Sequence, residues 1–453
     1  MRFDINFKSV VILIIMTCSG YSYAQNPIIQ TKYTADPAPM VYNDTVFLYV
    51  DHDEDADIGF FNMKNWLLYK STDMVNWTDC GEVASLKTFS KWGRQDNGAW
   101  ALQCLPRNGK FYVYCPVQLS GIGVAVSNTP YGPFTDPLGK PLINNSSDDI
   151  DPTIFIDDDG QAYLYWGNPQ PYYVKMNNDM ISYSGIIMTQ TVKPEKYVEG
   201  PWLTKRNGLY YLLYAASGIP ENLGYATSIS PEGPWTYRGV IMPTQGSSFT
   251  NHCGIIDFKG NSYIFYHNGA LPGGGGYKRS VCVEQFSYNA DGTFPTINMT
   301  TQGIKKAIVN INPYERVEAE TMAYENGIET NRDDKTGMYV DSISNGDYIK
   351  VRAVDFGDMG AAMFEASIAS SSKGGKIELY IDKINGTLVS TLSINYTGGK
   401  WKTEKAVVNN CNGVHDIYFV FKGESGNKTL FKFNYWKMTQ KNSKHNLIGV
   451  NVY

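Results

Sequence analysis

The stretch "NGLYYLLYAA", residues 207–216, is one copy of the pattern that decides the fold. An Asn-Gly pair is typical of a tight hairpin turn, and the aromatic and aliphatic residues after it predict a short strand. The same turn and strand recur with a period of about 50–65 residues, which indicates a repeat architecture. The other copies are "NDTVFLYVDHD" (43–53), "NGKFYVYCP" (108–116), "DGQAYLYWGN" (159–168) and "KGNSYIFYHNG" (259–269).

The repeats predict an all-β N-terminal domain. Five copies fill residues 27–305, and a second pattern, typical of outer hairpins, follows each copy. Antiparallel units without helical periodicity favour a five-bladed β-propeller, with a long β-sandwich as the alternative. In a propeller the innermost strands converge on a central channel, so residues at their ends face one another although they are far apart in sequence.

A different pattern begins after the segment 305–313. About 125 residues of short alternating strands and turns follow, which is the size of a β-sandwich of the jelly-roll type. The predicted organisation is a signal peptide (1–24), a five-bladed β-propeller (25–312), a β-sandwich (313–440) and a C-terminal extension (441–453).

The N-terminus has the pattern of a secretory signal peptide. Arg2 and Lys8 precede an apolar run, and Ala24 ends a small-residue cleavage site. The run is too short for a membrane-spanning helix, and no other segment is long and apolar enough to span. A lipid anchor at Cys18 is disfavoured, because Thr17 is a poor residue before a lipidated Cys. We therefore predict a secreted or periplasmic protein.

The composition indicates which kinds of molecule the protein can bind. The chain has 453 residues, a formal net charge of −5 and no basic stripe, which argues against nucleic-acid binding. Its 33 Tyr and 9 Trp suit a surface that stacks on flat ligands. The Cys residues show no metal-ligand spacing, and we interpret those after the signal peptide as buried free thiols, with one disulfide as the alternative.

Three acids occupy comparable places in the repeats. Asp36 and Asp151 each stand before a Pro, at the entries to the first and third repeats. Glu199 stands in "YVEGPWL" at the entry to the fourth repeat. A solvated turn carboxylate is the alternative for any one of them. Glycosidic hydrolysis needs one acid to protonate the leaving oxygen and another to activate water or attack, and a third can orient the acid and raise its pKa.

These motifs resemble glycoside hydrolase family 43, five-bladed propeller enzymes that act on arabinose- and xylose-containing plant polysaccharides. The resemblance covers residues 27–305. It implies that Asp36 is the general base, Glu199 the general acid, and Asp151 the acid that modulates the pKa and orientation of Glu199. The apolar setting of Glu199 would keep it protonated near neutral pH. The implied mechanism is single-step inversion, with base and acid roughly 6.5–9.5 Å apart to admit a water.

The same resemblance points to further residues of the central channel. His252 resembles the family's channel His, which lies near a bound ion, often calcium reached through water; a purely structural His is the alternative. Arg279, on a Gly-rich loop, resembles the substrate-binding Arg, with a surface Arg as the alternative. Trp100 and Trp166 either stack on sugar or pack within a blade, and we favour substrate contact for Trp100.

Residues 314–439 resemble carbohydrate-binding module family 6, a β-sandwich. The resemblance implies that Glu318 and Glu320 are ligands of a structural calcium ion, whereas the alternative is a solvated pair on a strand. It also implies that Tyr339 and Trp401 sandwich a sugar ring in a site at the loop end.

The module departs from its family at one position. The family usually has Asn where this chain has Lys432, and Lys donates hydrogen bonds but cannot accept them. Either sugar binding is weakened or the preferred ligand differs. The alternative interpretation is that the module binds no sugar and is a structural appendage.

Together these patterns predict a secreted, inverting glycoside hydrolase, an α-L-arabinofuranosidase that removes arabinose from arabinoxylan. Its partners would be plant cell-wall polysaccharides, arabinoxylan or arabinan, and their oligosaccharides. A β-xylosidase or endo-arabinanase on the same fold is the nearest alternative. An alternative of another class is a non-catalytic polysaccharide-binding protein, which retention of all three acids argues against. Structural calcium and no organic cofactor are expected.

Overall fold

The computed structural model describes residues 25–189, 193–372, 374–424, 426 and 429–441. Within these ranges the chain is all-β: there is no α-helix, and one turn of 3-10 helix spans Leu86–Phe89. The predicted signal peptide and nearly all of the predicted C-terminal extension lie outside the described residues. In the described ranges, no helix has the length and apolar character needed to cross a membrane.

The N-terminal part of the chain forms five antiparallel sheets that follow one another along the sequence, and within each sheet consecutive strands are neighbours. The first sheet contains β1 (Tyr33–Tyr42), β2 (Thr45–Asp53), β3 (Met63–Ser71) and β4 (Trp77–Ser85), and the second contains β5 (Gln103–Arg107), β6 (Lys110–Val117) and β7 (Gly121–Ser127). The third contains β8 (Thr153–Ile156), β9 (Ala162–Trp166), β10 (Tyr172–Met176) and β11 (Tyr183–Thr189). The fourth contains β12 (Tyr197–Arg206), β13 (Leu209–Ala216), β14 (Asn222–Ser228) and β15 (Thr236–Met242), and the fifth contains β16 (Gly254–Phe258), β17 (Asn261–Asn268) and β18 (Ser280–Phe286).

Tight turns set the register of the first hairpin in four of these sheets. Each turn joins the first two strands through two residues that both have positive φ, as in a type I′ turn. The turns are Asn43-Asp44, Asn108-Gly109, Asn207-Gly208 and Lys259-Gly260. Because this turn matches the twist of the flanking strands, the Asn-Gly pairs at two of these turns explain where those hairpins reverse.

The first strands of the five sheets lie side by side. β1 contacts both β5 and β16, β5 contacts β8, and β8 contacts β12. An ion pair between Arg206 on β12 and Asp257 on β16, with 3.3 Å between Nη1 and Oδ2, joins the fourth sheet to the fifth. Residues at the starts of these strands are therefore neighbours in space although they come from all five sheets.

The C-terminal part forms two further antiparallel sheets that share one core. Its strands are β19 (Val317–Glu318), β20 (Thr321–Met322), β21 (Tyr324–Asn326), β22 (Glu329–Asp333), β23 (Gly337–Asp341), β24 (Tyr348–Asp355), β25 (Ala361–Ala369), β26 (Gly375–Ile381), β27 (Thr387–Ile394), β28 (Lys402–Val407), β29 (Val414–Lys422) and β30 (Lys432–Gln440). One sheet has the order β22-β23-β30-β25-β28, with β19 also paired to β30, and the other has the order β21-β24-β29-β26-β27. Phe364 of the first sheet packs on Phe419 of the second, with ring centroids 5.8 Å apart.

The two parts of the chain are joined by strand pairing. β20 pairs with β4 and so adds a fifth strand to the first N-terminal sheet. The Asn76 side chain donates to the backbone carbonyl of Arg352 at 3.0 Å and accepts from its backbone N–H at 2.8 Å. Thr330 Oγ1 donates to the buried Asp79 carboxylate at 2.6 Å. The C-terminal part is therefore docked on the N-terminal part through ordered contacts.

We expect Asn76→Ala to lower the free energy of unfolding by about 1–3 kcal/mol, because the Arg352 N–H and C=O at the junction lose their partner. Denaturant titration of the full chain measures this change. Gln285→Ala is the matched control, since Gln285 is an exposed amide whose hydrogen bond stays within one hairpin. Equal stability of the two variants would show that the junction contributes little.

All six Cys residues in the described part of the chain are free thiols, as the composition suggested. Burial raises the pKa of Cys104 and of Cys253 to about 12. At neutral pH these buried thiols stay protonated, which makes them poor nucleophiles and poor metal ligands.

Candidate active site

A cavity of about 370 Å³ lies where residues of all five N-terminal sheets meet. Six of the residues predicted from sequence line it: Asp36, Trp100, Asp151, Glu199, His252 and Arg279. The structure thus brings together side chains as far apart as 243 positions in the chain. Trp166, the other aromatic candidate, instead packs within the third sheet, fully buried, and donates from Nε1 to Asp149 at 2.8 Å.

Backbone irregularities place the three acids at the cavity. Asp36 lies at a β-bulge in β1 with φ of +50°, and Glu199 lies at a bulge in β12. Asp151, two residues before β8, has φ of +56°. A bulge redirects a side chain, and a positive φ in an acid that precedes Pro costs about 1–3 kcal/mol. Such conformations persist where the surrounding structure holds them, and they are frequent at functional sites.

Arg279 binds two carboxylates at once. Its Nη1 lies 3.1 Å from both carboxylate oxygens of Asp36, while its Nε and Nη2 each donate to Asp53 at 2.9 Å. Phe61 covers the guanidinium, with 4.7 Å between Cζ and the ring centroid. Arg279 is 3 % exposed, which excludes the surface Arg considered as the alternative. Its donors are largely occupied by protein groups, so it holds Asp36 in place in addition to lining the cavity.

Asp36 is a carboxylate at neutral pH. Burial opposes its ionisation, but Arg279, followed by His267 and His252, outweighs burial and holds the pKa of Asp36 well below its usual range. Its orientation is fixed at two points, by Arg279 and by its own backbone N–H, which donates to Nδ1 of His267 at 3.3 Å.

The two histidines beside Asp36 differ in their surroundings. His267 is fully buried; its Nε2 lies 2.9 Å from the carbonyl oxygen of Thr250, and its Nδ1 lies 3.2 Å from Oδ1 of Asp36. Nδ1 of His252 lies 3.9 Å from Oδ1 of Asp36. Burial lowers the pKa of His252 to about 4, although the charge of Asp36 acts in the opposite direction. His252 is therefore a neutral imidazole at the cavity wall.

Asp151 fixes the backbone next to Glu199. Its Oδ2 accepts a hydrogen bond from the Gly200 N–H at 3.0 Å. Gly200 has φ of +60°, and a Cβ there would lie 3.0 Å from Nδ1 of His252, which explains the glycine after Glu199. Burial, followed by the charges of Glu199 and Asp36, raises the pKa of Asp151 well above its usual range.

Glu199 reaches the cavity from β12 with one neutral hydrogen-bond donor. The side-chain amide of Asn168 donates to its Oε2. Exclusion of water raises the pKa of Glu199, and the charge of Asp36 raises it further, whereas Asn168, Arg279 and Glu221 lower it. The net rise favours a carboxyl group that carries a proton and can donate it.

Asp51 is a further buried acid next to Asp36. It lies on β2 opposite Ala35, is fully buried, and neither carboxyl oxygen faces a donor among the described residues. Burial, followed by the charge of Asp36, raises the pKa of Asp51 well above its usual range. A protonated Asp51 can donate to Asp36, whereas two carboxylates in contact would repel each other.

Aromatic side chains form the apolar wall of the cavity. Phe61, Phe249 and Tyr277 contact one another edge to face, with ring centroids 4.9–6.0 Å apart. Gly276 permits this packing, because a Cβ there would lie 2.0 Å from the Phe249 ring. Trp100 lines the same cavity. Flat rings of this kind suit the C–H faces of a sugar.

Sequence analysis did not predict Asp53, Asn168, His267 or Glu221. The first three stand at the ends of the second strands of their repeats, or directly after them, in "YVDHD", "YWGN" and "YHNG". A comparison of the C-terminal ends of these second strands across the repeats would have identified the three residues. Glu221, just before β14, has no such counterpart, and only the structure places it beside Glu199.

The predicted sugar site of the C-terminal part has a different geometry from that expected. Tyr339 and Trp401 contact each other edge to face, with ring centroids 5.5 Å apart and a 68° angle between the rings. A sugar between two rings needs nearly parallel faces about 7–8 Å apart, which is two van der Waals contacts. Lys432 donates to the Tyr339 hydroxyl at 3.1 Å and lies over its ring, 4.6 Å from the centroid. In this arrangement the two rings do not sandwich a sugar.

The predicted calcium ligands are placed differently from each other. Glu318 forms a two-point ion pair with Arg316, with both N–O distances 2.8 Å. Glu320 is buried, and its Oε2 has no partner among the described residues, so this carboxyl fits a cation better than Glu318 does. In the described ranges, no three His, Cys, Asp or Glu side chains cluster closely enough to hold a metal.

The cavity has the groups that hydrolysis of a glycosidic bond requires: one ionised carboxylate, further carboxyls with raised pKa values, and an aromatic wall. These features define a glycoside hydrolase. The chain belongs to glycosyl hydrolases family 43, which matches residues 24–294, and carbohydrate binding module (family 6) matches residues 318–440. Both family predictions from the sequence motifs are confirmed.

Known relatives match across both parts of the chain. An arabinoxylan arabinofuranohydrolase of Bacillus subtilis (strain 168) is 36% identical in an alignment 482 positions long, and the match covers 92% of this chain and 92% of that protein. The crystal structure of a family 43 arabinoxylan arabinofuranohydrolase from Bacillus subtilis in complex with cellotetraose has a TM-score of 0.82 and 34% identity, and covers 92% of this chain and 98% of that chain.

A third comparison covers a shorter part of the chain. A family 43 β-xylosidase/α-arabinofuranosidase from a compost microbial metagenome, in complex with xylotriose and in a calcium-free form, has a TM-score of 0.56 and 31% identity. It covers 61% of this chain and 97% of that chain.

Proposed function

We propose that the N-terminal domain is a five-bladed β-propeller and the C-terminal domain a jelly-roll β-sandwich. The first assignment is supported by five consecutive antiparallel sheets whose first strands lie side by side around one cavity. The second is supported by two antiparallel sheets that share a single core.

We propose that the protein is an inverting α-L-arabinofuranosidase that removes arabinose from arabinoxylan. The observation that carries this proposal is that one cavity contains both an ionised Asp36 and a Glu199 with a raised pKa. A general base must be ionised and a general acid protonated at the same pH, and this pair meets both conditions.

In the proposed mechanism, Asp36 takes a proton from a water whose oxygen attacks the anomeric carbon. Glu199 gives its proton to the leaving oxygen as the bond between that oxygen and the anomeric carbon breaks. Asp151 orients Glu199 through the Gly200 N–H, and the proximity of the two acids disfavours ionisation of both. Water attack on the opposite face from the leaving group inverts the anomeric configuration.

The proposed substrate rests on two observations. A relative and a solved structure that each match across both parts of the chain are arabinoxylan arabinofuranohydrolases. The cavity volume of about 370 Å³ is near the lower end of the range of roughly 300–1,000 Å³ for ligand sites, which suits a single sugar branch better than a polymer segment. A β-xylosidase is the second candidate, because the compost structure is described as having both activities.

Two further proposals concern the N-terminal segment and a structural cation. We propose that residues 1–24, outside the described part of the chain, direct secretion, because they have the composition of a signal peptide. We also propose that Glu320 would hold a structural calcium ion, because one oxygen of its buried carboxyl has no partner among the described residues. Calcium there would supply charge compensation at the junction of the two domains, with no part in the hydrolytic steps.

The proposed function predicts the product and its stereochemistry. With arabinoxylan as substrate, we expect free arabinose as the first product, and proton NMR at early times should show the β-anomer released from the α-linkage. Chromatography identifies the sugar. Xylose as the main product would favour the β-xylosidase, oligosaccharides would favour endo action, and initial release of the α-anomer would reject direct attack by water.

A further inference from the structure

Glu221 is a buried acid beside Glu199 that the mechanism above does not use. It is 3 % exposed and stands just before β14. Its Oε2 accepts a hydrogen bond from the Asn251 N–H at 2.7 Å, and its backbone N–H donates to the carbonyl oxygen of Phe249 at 3.0 Å. Two contacts with one segment of the cavity wall therefore hold Glu221 in a fixed position.

Glu221 also interacts with the carboxyl group of Glu199. Oε1 of Glu221 has no donor among the residues that the structure describes, and a side-chain hydrogen bond links the Glu221 and Glu199 carboxyls. Carboxylates only accept hydrogen bonds, so this contact is a hydrogen bond only when one of the two carries a proton. Without that proton, two like charges would be held together away from water.

The surroundings place this proton on Glu221. Burial, followed by the charge of Glu199, raises the pKa of Glu221 to about 10. Its acidic neighbours are Glu199 from β12 and Asp151 from the segment before β8, which both raise its pKa, whereas the Asn251 N–H lowers it. Glu221 is therefore a neutral hydrogen-bond donor at neutral pH.

We propose that Glu221 is a positioning residue for the general acid: its carboxyl O–H donates to Glu199, orients it, and stabilises the carboxylate that Glu199 becomes. This inference rests on the proposed role of Glu199. Before reaction the pair holds two protons, one on each carboxyl. Glu199 gives one to the leaving oxygen as the glycosidic bond breaks, Glu221 keeps the other, and water returns a proton to Glu199 before the next turnover.

The contact is stronger after proton transfer than before it. A hydrogen bond to an ionised acceptor is roughly twice as strong as one between neutral groups. The Glu221 O–H therefore gains strength as negative charge develops on Glu199, and an interaction that is stronger in the transition state accelerates the chemical step. The hydrogen bond from Glu221 also lowers the pKa of Glu199, which makes Glu199 a stronger acid than burial alone would allow.

The test compares two substitutions on two substrates. Glu221→Leu should lower kcat/KM on a nitrophenyl arabinofuranoside roughly 10- to 100-fold, because a hydrogen bond to a charged group is lost. The loss on a dinitrophenyl arabinofuranoside should be much smaller, since that leaving group departs without protonation. Glu221→Gln keeps a donor and should recover most of the lost rate. Equal losses on both substrates, or no loss on either, would overturn the proposal.

The pH profile and the infrared spectrum give readouts that a merely structural role would not change. Loss of the donor in Glu221→Leu should raise the pKa of Glu199 and move the alkaline limb of kcat/KM to higher pH, whereas Glu221→Gln should move it less. In the wild type at neutral pH, the infrared difference spectrum against Glu221→Gln should contain the carbonyl stretch of a protonated carboxyl. An absent band would overturn the proposal even if Glu221→Leu does not fold.

Glu199→Gln measured on the same two substrates separates this inference from the proposed function. If Glu199→Gln lacks any dependence on the leaving group, Glu199 is not the general acid and the proposed function fails. If Glu199→Gln shows that dependence and Glu221→Leu does not, only the role of Glu221 is wrong.

Discussion

Glu199→Gln should lower kcat on arabinoxylan and on a nitrophenyl arabinofuranoside by roughly 10²–10⁴-fold, the usual contribution of a general acid. The physical reason is specific: Gln has nearly the volume of Glu and retains an acceptor for the Asn168 amide, but it has no proton to give. The rate should fall far less on a dinitrophenyl arabinofuranoside. Steady-state kinetics on the three substrates measure this pattern.

Folding must be intact for this result to be interpreted. The thermal unfolding midpoint of Glu199→Gln should be close to that of the wild type or higher, because the substitution removes a carboxyl group that is costly to keep near Asp151 and Asp36. A folded Glu199→Gln enzyme with near-wild-type turnover on arabinoxylan would refute the assignment of Glu199 as the proton donor.

Buried acids placed close together lower the stability of the folded protein. Their presence therefore argues against the alternative of a non-catalytic binding protein. One cation, Arg279, interacts with Asp36, Asp51 and Asp53. The pKa of Asp36 is lowered, whereas the pKa of Asp51 is raised. Sugar binding alone needs hydrogen bonds and stacking, and it does not need neighbouring acids in different protonation states. The arrangement is that of an acid–base site, consistent with membership of a hydrolase family.

The sequence was most informative where the chemistry is local and repeated. The turn residues of the repeats, among them two Asn-Gly pairs, predicted the hairpins, because positive φ at both turn residues is a property of the turn itself. Asp36, Asp151 and Glu199 were found because they occupy equivalent points of a repeat, so that superposing the repeats brings them together.

The remaining contacts depend on segments that meet only in the folded chain. Glu221 reaches Glu199 because residues 249–251 hold it there, and no local pattern encodes that approach. Arg279 was predicted to bind substrate, yet its contacts with Asp53 and Asp36 join strands at opposite ends of the N-terminal domain sequence. The edge-to-face contact of Tyr339 with Trp401 and the contact of Lys432 with Tyr339 likewise join segments that are distant in sequence.

Asp36→Asn should lower kcat by roughly 10²–10⁴-fold on every arabinofuranoside, including one with an activated leaving group, because attack by water still needs a base. The contrast with Glu199→Gln therefore assigns the two roles without reference to sequence motifs. Added azide should restore turnover in Asp36→Asn, since an anionic nucleophile needs no proton removed, and the product should be the arabinosyl azide of inverted configuration. Restoration in Glu199→Gln with inversion, and none in Asp36→Asn, would exchange the two assignments.

The pKa of Asp36 also predicts how activity depends on pH at the acidic end. Because Arg279 stabilises the carboxylate form, activity should persist as the pH falls to the region where Asp36 finally takes up a proton, well below the usual range of an Asp. Arg279→Lys keeps the positive charge but cannot contact Asp36 and Asp53 with the same forked geometry. The pKa of Asp36 should then rise, and the acidic limb of kcat/KM should move upward by about 1 pH unit, which corresponds to about 1.4 kcal/mol. An unmoved acidic limb in a folded Arg279→Lys enzyme would mean that the group titrating there is not Asp36.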